Sequence, residues 1–312
     1  MTFYRFRHQV VYTDSAQALT HGNPAGPMAL LAHLNPTLGV YTSIDTAADG
    51  QLPLIGQMQY TAGERSARIA FLMPEDGLNQ PSVSGLMDDM AVQAGSWGAF
   101  HMLAEVEETS CALEGLRRSG FSVYAWQRIW QFDQPGERPS NGSSNGKNEP
   151  ALWQPASSVD EVTIRSLYQS LVPPLVQSAE PLEPRRLSGW VYRQEGEIMA
   201  YVEGIYGPNG VYLQPLIHPA MENVSQALSH LMAQRRIASR PAIYISIRSY
   251  QAWLETVLRD LPCEVGPRQA LMVKHLVVQQ RAAVQTARHS VLEKITAEPT
   301  VPLVHNSTAT NK

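Results

Sequence analysis

The sequence predicts an α+β (mixed α/β) protein made of two similar halves, and three observations support this prediction. First, 312 residues with 44% apolar side chains are enough for two domains of ordinary size, each with its own core. Second, runs with strand and helix periodicity follow one another in the same order twice. Third, residues 133–155 are dense in Gly, Ser, Asn and Pro and cannot bury enough apolar area to order themselves. We therefore predict an N-terminal domain at 1–133, a flexible linker at 134–156 and a C-terminal domain at 157–278.

The first half is predicted to form a meander of strands followed by alternating helices and strands. Residues 4–18 should form a strand that leads into a helix, followed by a Gly/Pro-rich loop at 21–27 and a helical turn or two at 28–33. Three short strands separated by turn-rich segments are typical of an antiparallel meander. They are followed by a helix whose apolar residues recur at helical spacing. The predicted strands lie at 39–44, 54–60, 67–73, 100–107 and 121–132, and the helices at 81–98 and 110–119, the second ended by Gly120.

The second half repeats this order. It should open with a helix at 159–171 that stops at Pro173 and Pro174. The predicted strands lie at 187–194, 197–204, 211–217, 242–247 and 269–278, and the helices at 222–235 and 250–261. Residues 279–312 should form a weak helical extension and a disordered tail.

Composition excludes several classes of function. A net charge of −4 with 17% charged residues gives no sequence-wide basic field, so nucleic acid is disfavoured as a partner. No segment approaches the roughly 20 apolar residues of a membrane span, and we expect a cytoplasmic protein without membrane contact. Cys111 and Cys263 are expected to be two buried thiols rather than a disulfide. Nucleotide-binding glycine loops, a serine elbow and zinc-ligand spacings are absent from the sequence, so we expect no metal.

Two short motifs and the order of the elements resemble one known family. Residues 114–121 (EGLRRSGF) resemble the penultimate helix and Gly-Phe turn of the GCN5-related N-acetyltransferase (GNAT) superfamily, and residues 216–219 (LIHP) resemble the end of its fourth strand. The order of strands and helices matches that family over residues 4–133 and 159–278. The resemblance implies tandem GNAT-like domains, each a largely antiparallel twisted sheet flanked by helices.

The resemblance also implies an activity, the transfer of an acyl group from acetyl-CoA as co-substrate to a small-molecule or peptide amine. The family holds the pyrophosphate with backbone N–H groups of a Gly-containing loop after the fourth strand. Here that loop carries two carboxylates at 74–81, and at 219–222 it has no glycine. The family often also uses a Tyr near the end of the penultimate helix as general acid, where this chain has Leu116 and Leu258. The alternative is therefore an inactive GNAT-like protein that binds a ligand or a protein.

Five residues are candidates for a site. Glu105 lies with Glu107 on one face of a strand where the cleft of this fold opens, and could accept a proton from an amine. Tyr250 begins a helix and could donate a proton, or could simply pack its ring and leave its hydroxyl in water. The resemblance places Leu216, Ile217 and His218 at the end of the fourth strand, as cofactor-binding positions. His218 carries an imidazole, which can exchange a proton, and its alternative role is that of a polar cap before a proline.

Overall fold

The computed structural model describes residues 8–23, 39–46, 51–133, 153–182 and 187–276. The predicted turns at 28–33 and the predicted extension and tail at 279–312 lie outside these residues. All structural statements that follow refer to the described part of the chain.

The first half contains the predicted elements in the predicted order. A short strand is followed by a helix whose N-cap, Asp14, accepts a hydrogen bond from the backbone N–H of Gln17. The strands are β1 (Val11–Tyr12), β2 (Val40–Asp45), β3 (Leu54–Gln59), β4 (Ser66–Met73), β5 (His101–Glu107) and β6 (Ser122–Asp133). The helices are α1 (Ser15–His21), α2 (Val83–Trp97) and α3 (Cys111–Arg118). Gly98 ends α2 in the left-handed conformation that glycine adopts without strain.

The second half repeats the plan, with two helices before its meander. Its strands are β7 (Trp153–Pro155), β8 (Gly189–Gln194), β9 (Glu197–Gly207), β10 (Gly210–Ile217), β11 (Ala242–Arg248), β12 (Glu264–Val265) and β13 (Gln269–His275). Its helices are α4 (Glu161–Leu171), α5 (Pro174–Ala179), α6 (Val224–Met232), α7 (Arg235–Ala238) and α8 (Trp253–Arg259). Tyr250 lies in a 3₁₀ turn, Ser249–Gln251, before α8 rather than at the start of that helix.

The structure differs from the prediction at the end of the linker. Residues 153–155, predicted to be flexible, form β7 and pair with β8. Trp153 is buried, and its indole N–H donates to the carbonyl of Ala227 at 2.7 Å, which anchors the strand to α6. Residues 134–152 lie outside the described part of the chain.

All thirteen described strands belong to one sheet. The strand order is β2-β3-β4-β5-β13-β6-β11-β10-β9-β8-β7, with β1 paired to β4 and β12 paired to β6. Among the described pairs, only β4 with β5 and β10 with β11 are parallel, and the others are antiparallel. The predicted fold class, a largely antiparallel sheet flanked by helices with a plan used twice, is confirmed.

The final strands of the two halves are exchanged across the centre of this sheet. Strand β13, from the end of the second half, lies between β5 and β6 of the first half. Strand β6 is long enough to pair with β13 along Ser122–Gln127 and with β11 along Gln127–Asp133. The described residues of both halves accordingly group as one compact unit. That 1–133 and 157–278 are two separate domains stays a prediction.

Apolar clusters cover the sheet. One cluster lies mainly in the first half, under α2 and α3, and includes Ala270 and Met272 of β13. A second lies mainly in the second half, under α6 and α8, and includes Trp130 and Phe132 of β6. A third cluster is shared, because α4 and α5 pack on strands from both halves through residues such as Ile164, Val176 and Leu271. The two halves are thus joined by apolar burial as well as by strand pairing.

Three further findings concern the predicted exclusions. Both cysteines are free thiols, as predicted, but they are half-buried rather than buried. No helix among the described residues is long and apolar enough to cross a membrane. No group of three His, Cys, Asp or Glu side chains within the described ranges could hold a metal ion.

Candidate functional site

A cavity of about 720 Å³ opens where the two halves meet. This volume is within the usual range for small-molecule sites. Its wall combines apolar side chains with charged and phenolic ones from both halves. Its polar lining includes Asp14, Gln17, Arg68, Glu105, Tyr168, Glu180, Tyr201, Ser246, Arg248 and Tyr250. We call it the central cavity.

Four of these side chains form a charged cluster in the cavity wall. The Glu180 carboxylate forms ion pairs with two arginines, lying 3.2 Å from Arg248 Nη2 and 3.6 Å from Arg68 Nη2. A second carboxylate, that of Glu105, lies 4.0 Å from Arg68 Nη1. The Arg68 side chain is 41% exposed, whereas that of Arg248 is only 7% exposed. Arg248 is therefore a buried cation held by its neighbours.

Glu180 is the centre of this cluster. Burial by itself would raise the pKa of Glu180, but the guanidinium groups of Arg248 and Arg68 hold it below its ordinary value. The hydroxyl of Tyr124 donates to its carboxylate at 2.7 Å, and the hydroxyl of Tyr168 donates to its backbone carbonyl at 2.6 Å. Glu180 is thus an ionised carboxylate with several donors around it.

Glu105 differs from Glu180 in the direction of its pKa shift. It is 5% exposed, and burial together with the charge of Asp14 raises its pKa, against the attraction of Arg248 and Arg68. Its carboxylate accepts from the backbone N–H of Ser15 at 3.1 Å. A buried carboxyl with a raised pKa, in the wall of a cavity, is a candidate for proton transfer.

A chain of hydrogen bonds continues from Glu105 across the exchanged strands. The side-chain amide of Gln127 donates to Glu105 at 2.9 Å and to Gln269 at 2.8 Å. Its carbonyl oxygen accepts from the hydroxyl of Ser246 at 2.9 Å. These residues lie on β5, β6, β13 and β11, so the polar chain crosses the boundary between the halves beside the central cavity.

Some buried polar atoms in the cavity wall have no partner. Among the described residues, Arg248 Nη1, the Tyr201 hydroxyl and Gln17 Oε1 are buried without a hydrogen bond, and all three residues line the central cavity. A buried polar group normally has a partner, because leaving one unpaired costs about 1–3 kcal/mol. These atoms therefore indicate where a ligand could bond.

The cleft of the first half is filled by the chain itself. The parallel strands β4 and β5 pair only where Ser66–Arg68 of β4 face His101–Leu103 of β5. Beyond Arg68 the two strands are not paired with each other, which leaves backbone groups available on both. Strand β1 and Thr13 occupy this gap. The Thr13 N–H donates to the carbonyl of Ala70 at 3.0 Å, and the Thr13 carbonyl accepts from the N–H of Glu105 at 2.9 Å.

The cleft of the second half is filled by one side chain. Parallel β10 and β11 pair only at Val211–Leu213 with Ile243–Ile245. Beyond this point Gln251, which is buried, accepts from the N–H of Ile217 at 2.8 Å and donates to the carbonyl of Pro215 at 2.8 Å. In both halves, then, protein groups already bond a strand N–H, that of Glu105 or that of Ile217, which is the kind of donor a thioester carbonyl needs.

The loops after β4 and β10 do not fit the pyrophosphate of acetyl-CoA. In the first, Glu75 and Asp76 form a 3₁₀ turn before α2, and their carboxylates would repel phosphate. In the second, Asn223 adopts a left-handed conformation immediately before α6, and the neighbouring Glu222 is exposed. Anionic side chains therefore lie close to both described loops, and the second loop has no glycine.

The structure brings three of the five predicted site residues together. Glu105, Tyr250 and Leu216 all line the central cavity, although they come from different halves. Glu107, in contrast, is exposed and lines a smaller cavity of about 410 Å³. Glu105 was predicted as a base at the opening of the cleft, and its burial follows from the insertion of β1 and α1 above it.

The other two predicted residues lie beside the cavity. Ile217 is buried and its N–H is bonded to Gln251. His218 is half-buried, and its ring Nδ1 accepts from the N–H of Ala220 at 3.2 Å, which is the arrangement of a polar cap. Leu116 and Leu258, at the positions where the resembling family often has its acid, are both fully buried in the apolar clusters.

Sequence reasoning missed Arg68, Glu180 and Arg248. Two of them carry a recognisable signal, since Arg68 and Arg248 are charged residues within otherwise apolar strand segments, SARIAFLM and AIYISIR. A charged residue that a strand buries needs an opposite charge nearby. Glu180 follows the short helix α5 and has no such signal in the sequence.

Comparison with known proteins gives structural likenesses only. No family model matches this sequence, and no curated protein matches it. A GCN5-related N-acetyltransferase from Sphaerobacter thermophilus is similar, with 13% identity, 74% of this chain and 79% of that chain covered, and a TM-score of 0.42. A GCN5-related N-acetyltransferase from Kribbella flavida has 11% identity, coverage of 80% and 96%, and a TM-score of 0.46.

A tandem GNAT protein from the clavulanic acid biosynthesis pathway is also similar, with 13% identity, coverage of 84% and 92%, and a TM-score of 0.44. These proteins bear the family name that the sequence motifs suggested. Since their TM-scores are below 0.5, the description of the fold rests on the strand order given above, and the function rests on the site.

Proposed function

We propose that this chain is an acetyltransferase-like protein that binds a small polar molecule in the central cavity and does not use acetyl-CoA in the way the resemblance implies. The observation that carries the proposal is the filling of both strand clefts. Thr13 in the first half and Gln251 in the second bond the backbone groups that an acyl group would need. The carboxylates of the first phosphate loop add electrostatic repulsion to this steric obstacle.

The central cavity offers a binding space, which the two filled clefts do not. It is large enough for a small molecule, it has apolar walls, and it contains buried polar atoms without partners. A fold can keep its architecture after an ancestral activity is lost, so the arrangement of strands and helices agrees equally well with a binding role.

A second candidate function is acyl transfer to an amine, and one observation favours it. Glu105 and Tyr250 line the same cavity, and burial raises the pKa of both groups. A carboxyl that accepts a proton and a phenol that donates one are the pair that general acid–base catalysis uses. This candidate needs an acyl donor that enters by another route than the filled clefts.

Calorimetry with the whole chain distinguishes the two candidates. We expect no heat of binding and no thermal stabilisation with acetyl-CoA or CoA at millimolar concentration, because a ligand that binds only the folded state raises its apparent stability. An assay for free thiol with acetyl-CoA and a panel of primary amines should show no turnover. Micromolar binding of acetyl-CoA, or turnover that is lost in Glu105→Gln and Tyr250→Phe, would establish the second candidate instead.

A further inference from the structure

A pair of histidines joins the end of the exchanged strand β13 to β5. His101 of β5 and His275 of β13 are register partners, and their ring Nδ1 atoms lie 3.0 Å apart. The two rings meet edge to face, with centroids 4.8 Å apart and an interplanar angle of 87°. We call these two side chains the histidine pair. Neither is among the residues that line the central cavity, so the pair is a feature separate from the proposed binding site.

The end of β13 is held by a strand on one side only. Strand β13 pairs with β6 from Gln269 to Val273, whereas its pairing with β5 continues to His275. One backbone bond follows, from the N–H of Leu276 to the carbonyl of Phe100 at 2.8 Å. Because bonded and non-bonded positions alternate along an antiparallel pair, the two histidines occupy a non-bonded position, where side chains connect the strands. In the described sheet, the histidine pair is therefore the last cross-strand pair of β13.

The contact between the two rings depends on how many protons they carry. An imidazole nitrogen accepts a hydrogen bond only when it has no proton, so the bond between the Nδ1 atoms needs one donating and one accepting ring. A first added proton is compatible with this bond, because an imidazolium can donate to a neutral partner. A second added proton is not, because both Nδ1 atoms then carry hydrogen and two positive rings face each other at 4.8 Å. The contact is therefore lost at the second step.

The charged groups around His101 oppose its protonation. Burial, the ring of His275 and the guanidinium of Arg65 each lower its pKa, in that order. Arg65 lies in the turn before β4, and its backbone carbonyl accepts from the N–H of His101 at 3.3 Å. Lys274 pairs with Asp88 at 2.8 Å, and strand alternation places it on the other face of β13. Among the described residues, no carboxylate contributes to the pKa shift of His101, so no nearby anion compensates a charge on that ring.

We propose that the histidine pair is an acid-sensitive latch, which joins the end of β13 to β5 while at most one ring is protonated and releases it when both are. Since the pKa of His101 is below its ordinary value of 6.5, release begins only below that pH. The released part is short and starts at Lys274, because β6 still holds β13 up to Val273.

Amide hydrogen exchange of the whole chain at pH 7.5 and pH 5.0, corrected for the intrinsic rate at each pH, tests the release. Lowering the pH should reduce the protection of the Leu276 amide by at least about fivefold more than that of Met272, the effect of one lost hydrogen bond. Met272 is the internal reference, because it lies in the part of β13 that pairs with both β5 and β6. Local opening of this kind is what amide exchange resolves.

His275→Phe is the variant that removes the latch. It keeps an aromatic ring at an exposed position but removes both nitrogens and the second charge, so the additional loss of protection at Leu276 should disappear. The pKa of His101, read from its ring resonances in a pH titration, should rise towards 6.5, because one of the groups that lower it is gone. His230→Phe, at an exposed histidine in the last turn of α6, is the matched control and should leave both measurements unchanged.

Either of two results would overturn the latch. The first is an equal change of protection at Leu276 and Met272 between the two pH values. The second is a His275→Phe protein that keeps the additional loss at Leu276 or shows an unchanged pKa of His101. Neither measurement uses a ligand, so the result is independent of whether the central cavity binds a small molecule or acetyl-CoA.

Discussion

Removal of Glu180 should destabilise the protein strongly, because this carboxylate compensates two guanidinium groups. Its side chain is 18% exposed, and that of Arg248 is 7% exposed. Breaking a buried ion pair by removing one partner typically costs about 3–5 kcal/mol, since an uncompensated charge remains. Arg68 is partly exposed and can be hydrated after the change. We therefore expect Glu180→Gln to lower the free energy of unfolding by about 3 kcal/mol, near the lower end of this range.

Urea denaturation followed by fluorescence measures this loss, and a double-mutant cycle tests its cause. If the loss comes from the unpaired Arg248, then Arg248→Met alone should cost a similar amount and the double variant should cost much less than the two losses together. Arg165→Gln on the surface should change stability by less than about 1 kcal/mol. Losses below about 1 kcal/mol in both single variants, or simple additivity in the double variant, would refute the reasoning.

Three other predictions concern the rest of the fold. Burial, reinforced by a neighbouring histidine and arginine, lowers the pKa of His101 below 6.5, so the unfolded state binds more protons below that pH. The free energy of unfolding should therefore fall as the pH is lowered from about 6.5. The midpoints of urea denaturation at pH 7.5 and pH 5.5 should differ less in His101→Asn than in the unsubstituted protein. Gly115→Ala should lower the free energy of unfolding by about 2 kcal/mol or more, because the added Cβ would lie 2.1 Å from the carbonyl oxygen of Leu78. Gly85→Ala, where the added Cβ has no atom within 4 Å, should instead stabilise α2 by about 0.5–1 kcal/mol. Thermal unfolding measures both changes. If a protease site is inserted at 140–149 and the chain is cut there, the two pieces should elute together on gel filtration, because β6 and β13 each pair with strands of the other half. Separation of the pieces without denaturant would contradict this exchanged pairing.

Much of the architecture follows from local patterns. The meander of the first half, the helix after it and the Gly-terminated helix α3 were predictable, because apolar periodicity and turn residues act over a few positions. The second half was predictable for the same reason, since its pattern repeats the first. The short strand β7 was not, because its formation depends on the contact between Trp153 and Ala227, which are far apart in the sequence.

The site was predicted only in part. Glu105, Tyr250 and Leu216 do line one cavity, but the sequence motifs suggested two separate clefts instead of one shared space. The insertion of Thr13 between β4 and β5 could not be foreseen, since the segment around it lacks clear periodicity. The role of Glu180 depends on two arginines that lie more than 60 positions away in the sequence, and no local pattern encodes such a pairing.

The position of β13 has a consequence for synthesis on the ribosome. Strand β5 is complete at Glu107, yet its partner β13 begins only at Gln269. At a translation rate of about 5–20 residues per second, this edge of β5 stays without that partner for roughly 8 to 32 s. An unpaired apolar edge of this kind can pair with another nascent chain. The protein should therefore depend on chaperones that shield nascent chains, and slow translation of the second half should lower its soluble yield.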